Sequence, residues 1–223
     1  MDGRYVRKEG YPFNTIYLRE YAGVGPETGS ALYYDNQQDE NGNYTKIKVT
    51  DPGQASPIPL KDITPTISGG FMNTFNYKFI DLSFNLSYSF GGYSYDNASY
   101  ILQDDGYSVI SNKSTEQRRR WQKPGDITDV PRFVYGNKKG GNYNSSRAIH
   151  STDHIRLKSL ILGLNAPKAW LQKLGIGNAR IYFSGTNLLT WAAYDQYDPE
   201  MSGVVGFYTP PLKTYAFGLE LKF

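Results

Sequence analysis

Residues 80–90 read IDLSFNLSYSF, and the apolar residues fall on every second position. Ile80, Leu82, Phe84, Leu86, Tyr88 and Phe90 share one face, while Asp81, Ser83, Asn85, Ser87 and Ser89 share the other. Strict alternation is the signature of a strand with one apolar side. Its length matters as much as its period. Ordinary soluble strands run to about 5–6 residues, whereas a tilted strand crossing a bilayer needs about 9–11. The pattern recurs at 213–223, where Tyr215, Phe217, Leu219, Leu221 and Phe223 face one way and Thr214, Ala216, Gly218, Glu220 and Lys222 the other. A soluble sheet would lay the bulky face on a core. A barrel turns it to lipid and keeps the small and charged face in the lumen.

Working outward, three more strands are expected. Ile67, Gly69, Phe71, Phe75 and Tyr77 share a face over 67–77, and a less clean run covers 179–190. Over 154–165 the apolar phase slips from Ile155 and Leu157 to Leu160, Leu162 and Leu164, which predicts a bulge near Ser159. A weaker strand is expected around Thr15–Tyr21. Between strands, short turns after Tyr77 and over Asn165–Asn178 (one helical turn expected between Pro167 and Gly175) alternate with long polar loops at 22–65, 91–153 and 192–212. Short turns on one side and long loops on the other are what outer-membrane barrels show.

Composition agrees. Twenty Tyr, eleven Phe and three Trp suit an interface between hydrocarbon and water. Mean hydropathy is −0.55 and no apolar run approaches 20 residues, which excludes a spanning helix but not spanning strands. The net charge of +3 is small and mixed, unlike the dense basic stripe of a nucleic-acid binder, so no nucleic-acid partner is expected. The absence of Cys removes disulfides and thiolate chemistry. No nucleophile elbow, P-loop or dinucleotide fingerprint occurs, so neither an enzyme nor a cofactor is expected, and no catalytic residue is assigned. His150, Asp153 and His154 suggest a metal, but in extended chain a spacing of four residues separates side chains by about 13 Å. They read as strand-entry residues. The run 37–48 fails as a calcium loop because Lys48 stands where a carboxylate is required. Arg118–Arg120 beside Trp121 could meet phosphates or an acidic substrate, though a charged run in a long loop is ordinarily solvated.

Several ordered motifs resemble one family. GYPFNTIYLREYAGVGPETGSALYYD, PTISGGFMNTFNYKFIDLSFNLSYSFGG, HIRLKSLILGLNAPKAWLQKLGIGNARIYFSGTNLLTW and YDPEMSG with PPLKTYAFGLELKF are similar to stretches of the SusC/RagA TonB-linked outer-membrane proteins. The resemblance covers essentially the whole chain. It implies the C-terminal antiparallel strands of a large transmembrane barrel of about 22 strands, incomplete in residues 1–223, since five or six strands cannot close in lipid. It also implies import of glycans or peptides through the outer membrane of a Bacteroidetes-type bacterium. The implied partners are a SusD-like lipoprotein over the outer loops, TonB acting on a plug outside these residues, outer-membrane lipid, and an oligosaccharide or peptide substrate. Export signal and plug would lie in a longer protein. His154 departs from the aromatic commoner at its position in the family.

Three residue groups then become candidates. Tyr215, Phe217, Leu219, Leu221 and Phe223 would form a barrel-assembly signal, or simply an ordinary last strand. Tyr77, Tyr88, Tyr93 and Trp191 would form interfacial girdles, or pack a soluble core. Tyr95, Trp121, Tyr194 and Tyr197, with Tyr100, Tyr107 and Tyr208, would stack on substrate, or pack loops. A soluble carbohydrate-binding β-sandwich and a passive porin-like barrel are the competing readings.

Overall fold

The computed structural model describes residues 4–137 and 143–223. Residues 138–142 of the expected 91–153 loop therefore lie outside the described residues. Two compact units are present, one built from 65–92, 151–201 and 208–223, the other from 1–64, 93–150 and 202–207.

The first unit is a five-stranded antiparallel meander. Its strands are β1 (Ile67–Tyr77), β2 (Ile80–Phe90), β3 (His154–Asn165), β4 (Asn178–Ala192) and β5 (Thr214–Lys222). They lie in chain order across the sheet. Tyr77 pairs with Ile80 through a turn in which Lys78 takes φ +55°. The β3–β4 connection holds an α-helical turn (Lys168–Leu171) and a 3-10 turn (Gln172–Leu174), and Gly175 at φ +67° ends it. Left-handed φ is cheap only for Gly, which accounts for the stop. Both short turns lie at one end of the sheet, because Leu164 pairs with Ile80 and Asn165 N–H donates to Phe79 O at 2.8 Å. At the opposite end Ile67 meets Phe90 and His154 meets Ala192, and the long connections leave from there.

Register puts the apolar positions of all five strands on one face. Asn73 pairs with Phe84, Phe84 with Leu160, Leu160 with Gly185 and Gly185 with Tyr215. The rows on either side are Phe71, Leu86, Leu157 and Leu189, and Phe75, Leu82, Leu162, Phe183 and Phe217. The register slips between Leu157 and Ser159, which leaves Lys158 as the extra residue of a bulge and restores the apolar phase beyond it.

The second unit contains most of the segments expected as long polar loops at 22–65 and 91–153. These segments carry short strands and buried clusters. Tyr5–Val6, Thr15–Leu18 and Ile58–Asp62 form one small sheet; Tyr21–Val24, Ala31–Tyr34 and Lys48–Val49 form another. Tyr93–Asp96 runs parallel to Gly203–Val205, and a short helix follows at Asn97–Leu102, capped by Asp96. Ile16, Leu18, Tyr95 and Ala148 make one core cluster, and Ala31, Tyr33 and Ala55 another. Strands of two to five residues are too short to show a readable period, so the sequence reads as loop where the chain in fact packs.

Candidate functional site

The first functional surface is the apolar face of the sheet. Its side chains are large and open: Phe217 is 81 % exposed and Trp191 57 %. Ile67, Phe71, Phe75, Tyr77, Leu162, Leu164, Ile181, Leu189, Tyr215, Leu219 and Leu221 are exposed beside them. Rings cluster across strand boundaries, with Phe71–Phe84 at 5.9 Å, Phe75–Phe84 at 6.2 Å and Phe183–Phe217 at 5.2 Å between centroids. No charged residue occupies this face in the five strands, and Asn73 is its polar exception near mid-height. An exposed apolar surface of this extent requires a cover. Eleven residues tilted by about 45° span about 26 Å, which matches the apolar band of an outer-membrane barrel. Of the expected girdle residues, Tyr77, Tyr88 and Trp191 lie near strand ends on this face, while Tyr93 lies in the other unit with Lys61 Nζ 4.8 Å from its ring. Tyr215, Phe217, Leu219 and Leu221 all fall in the apolar rows, and Phe223 is exposed beyond the strand.

The reverse face is polar and cross-linked. Arg180 Nη2 donates to Asp81 Oδ2 at 2.6 Å and Nη1 to Glu220 at 3.3 Å, while Asn165 Nδ2 donates to Asp81 Oδ1 at 2.9 Å. One arginine thus fastens β2, β4 and β5. Gly163 makes room for it, because a Cβ there would meet the Asp81 carboxylate and lie 2.6 Å from Arg180 Nε. Gly218 in turn lies under the Tyr182 ring, leaving no room for a Cβ. Polar lumen against apolar exterior is the dyad pattern of a membrane barrel.

Asp198-Pro199-Glu200 stands out in the sequence only as part of a motif; the structure gives it a partner. Arg156 Nη2 donates to Asp198 at 2.8 Å and Nη1 to Glu200 at 2.8 Å, and Lys158 Nζ donates to Glu200 at 2.6 Å. Arg156 and Asp198 are both buried. The planar guanidinium fork suits two carboxylates at once, so the loop after β4 is anchored on β3 beside the bulge. His154 donates from Nδ1 to Thr152 O at 2.7 Å and turns Nε2 to 3.8 Å from Glu200. His154 therefore lies beside the anchor. Among the described residues no group of His, Cys, Asp and Glu is arranged to hold a metal ion.

The four aromatics expected to meet substrate divide between the units, Tyr95 and Trp121 in one and Tyr194 and Tyr197 in the other. Tyr95 is 0 % exposed, with Arg4 4.4 Å from its ring centroid and its hydroxyl donating to Asn144 at 2.8 Å. Burial raises its pKa, and no face of the ring is open for stacking, so the expectation for Tyr95 is corrected to packing. Trp121 lies across Gly29 and donates from Nε1 to Pro26 O at 2.7 Å, tying two loop segments together. Tyr194 and Tyr197 form a tilted pair at 5.1 Å. Tyr107 and Tyr208 are exposed, and Tyr100 packs on the Tyr95 cluster.

The loop unit is held by a buried ion pair that the sequence did not reveal. Arg147 Nη1 donates to Asp105 Oδ2 at 2.5 Å, and Gln117 Nε2 donates to Asp105 Oδ1 at 2.9 Å. Burial works against the charge on Arg147, but the Asp105 carboxylate outweighs it and the pKa is raised. Burial also raises Tyr21 and Tyr33 beside it and lowers His150.

These features define a class: a segment of outer-membrane barrel wall with folded loops. Comparison with known proteins agrees. No protein-family model matches the chain. It is 29 % identical to TonB-dependent receptor P3 of Formosa agariphila over 98 % of its length, and 33 % identical to TonB-dependent receptor P26 of the same organism over 78 %. It superposes on the RagAB peptide transporter with a TM-score of 0.79 at 29 % identity over 98 % of its length. It also superposes on the RagAB peptide importer in the open-open state (0.82, 27 %) and closed-closed state (0.81, 29 %), over 100 % of its length in each. It spans 23 % and 16 % of the two receptors and 24 % of each RagAB chain. The resemblance to the SusC/RagA TonB-linked outer-membrane proteins therefore holds over nearly the whole chain.

Proposed function

We propose that this chain supplies barrel wall and outer loops to a TonB-dependent importer in the outer membrane of a Bacteroidetes-type bacterium. The observation that carries the proposal is the uncharged apolar face running across all five strands in register. A soluble β-sandwich would have to cover that face with a second sheet. On this reading lipid covers it, and Tyr215, Phe217, Leu219, Leu221 and Phe223 along the last strand are also what the barrel-insertion machinery reads. The cargo is an oligomeric nutrient. Peptides take precedence over glycans because the similar solved structures are peptide importers. A SusD-like lipoprotein caps the loops and TonB supplies energy through a plug in the remainder of the protein. Trp121, Tyr194 and Tyr197 remain the candidate cargo contacts among the aromatics. The test is uptake of a labelled peptide mixture and a labelled glycan mixture by native cells, with and without the receptor and with and without TonB. Peptide uptake lost in both deletions supports the reading; uptake that persists without TonB would return the passive porin to first place.

A further inference from the structure

The short-turn end of the five-stranded sheet gathers lysines and aromatic rings. The turn at 78–79 and the β3–β4 connection at 166–177 carry Lys78, Lys168 and Lys173 and neither Asp nor Glu. The two turns are neighbours, because Asn165 N–H donates to Phe79 O at 2.8 Å. All three lysines are exposed, and none is in an ion pair among the described residues. The carboxylates on the adjoining strands, Asp81 and Glu220, are held by Arg180. The opposite end of this unit has the reverse balance. Its connections at 151–153, 193–201 and 208–213 carry Asp153, Asp195, Asp198 and Glu200 against Lys213.

The rings stand among these cations. Tyr77, Phe79 and Trp170 are exposed, and Trp and Tyr collect at headgroup depth where hydrocarbon meets water. Tyr77 belongs to the apolar face, and Lys78 Nζ lies 5.2 Å from its ring centroid, which puts this cation on the outer side of the sheet. Lys78 also takes φ +55°, a conformation that hairpin turns ordinarily fill with Gly, Asn or Asp. A lysine held there at a conformational cost points to a use for its side chain. In the β3–β4 connection Leu171 is buried while Lys168, Trp170 and Lys173 are exposed. Trp170 N–H donates to Pro167 O at 3.0 Å, Ile176 N–H to Leu171 O at 3.1 Å and Gly177 N–H to Lys222 O at 2.6 Å. The backbone that carries the cations is therefore already ordered, which lowers the cost of binding.

We infer that this end of the sheet binds the headgroups of anionic phospholipids, with Lys78, Lys168 and Lys173 on the phosphates and Trp170 and Phe79 beside them. The rings, continuous with the apolar face, select a lipid over a soluble anion. The inference rests on the barrel reading, in which short turns lie on the periplasmic side, so the lipid is that of the periplasmic leaflet. Each lysine near an anionic membrane surface strengthens binding about fivefold. A zwitterionic headgroup, carrying no net charge, gives no such gain.

The test uses the full-length receptor in lipid vesicles, with a bimane fluorophore on Ala169→Cys to report which lipid meets the turn. Quenching by brominated phosphatidylglycerol is compared with quenching by brominated phosphatidylcholine. Phosphatidylglycerol is expected to be preferred about fivefold at low salt, with the preference falling toward parity at high salt. The triple variant K78Q/K168Q/K173Q should remove the preference, and K78R/K168R/K173R should keep it, because the charge is what binds. Equal quenching by the two lipids, or a preference that survives K78Q/K168Q/K173Q, overturns the inference. Heat-shifted gel mobility of the same samples reports separately on the barrel. A receptor that keeps its heat shift and shows equal quenching overturns the lipid site alone, whereas a receptor with no heat shift overturns the barrel reading and the inference with it.

Discussion

A charge placed at mid-height on the apolar face should cost far more than the same charge one residue further along the strand. Leu160 lies in the central outward row with Phe84 and Gly185, whereas Ile161, its neighbour, pairs with Ser83 and Ser184 on the polar face. Arg at the bilayer midplane of a barrel costs about 2–4 kcal/mol, falling to about 0–1 near the interface. Leu164 lies four residues on and at the turn end of β3. That is about 13 Å along the strand, or roughly 9 Å along the membrane normal at 45° tilt. Leu160→Arg should therefore destabilise the folded barrel by about 2–4 kcal/mol, a 30- to 700-fold shift in the unfolding constant. Leu164→Arg should cost about 0–1 kcal/mol, and Ile161→Arg no more than about 1 kcal/mol, because the lumen face is wet. The assay is guanidinium unfolding of the full-length receptor in lipid vesicles, followed by Trp fluorescence and heat-shifted gel mobility. Equal costs at 160 and 161, or a larger cost at 161, would refute the assignment of faces.

Arg147→Met leaves Asp105, 0 % exposed, without its cation, and should weaken the loop unit by about 3–5 kcal/mol; limited proteolysis within 93–150 should accelerate while gel mobility of the barrel stays unchanged. Gly218→Val drives side-chain atoms into the Tyr182 ring and should lower stability more than Ala216→Val, which has a Cβ already, as read by the same unfolding assay. The lowered pKa of half-buried His150 means that below pH 6.5 the unfolded chain takes up a proton the folded chain refuses, so loop stability should fall as pH drops from 6.5 through the folded value. His150→Gln should flatten that dependence in a protease-resistance profile across pH 5–8. Arg156→Ala should release Asp198 and Glu200 and raise proteolysis at 193–201 without unfolding the sheet.

The long strands were legible because each carries its own evidence. Ile80–Phe90 alternates without a break, and the phase slip around Ser159 appears in the register as a bulge at Lys158. β4 was less legible and runs 178–192 rather than 179–190, since Asn187 at φ +52° interrupts its alternation. The loop unit was not legible. Thr15–Leu18 and Ala31–Tyr34 are too short for a period, and their burial depends on partners far along the chain, such as Tyr95 and Ala148 for Ile16. Tyr95 illustrates the limit of reading a site from residue type, because the same ring that could stack on a ligand is instead the centre of a core cluster. Arg156 with Asp198 and Glu200 could have been suspected, since charges of opposite sign stood at a bulge and in a quoted motif; Arg147 with Asp105 could not, being 42 positions apart with no pattern joining them.

Where the native protein resides, and at what size, separates the barrel from a soluble β-sandwich. Fractionated native cells should be blotted with an antibody raised against the 93–137 region. The account predicts an outer-membrane band several times larger than 25.2 kDa that shifts mobility on boiling. A 25.2 kDa band in the soluble fraction, with no heat shift, would contradict it and leave a soluble β-sandwich as the better description.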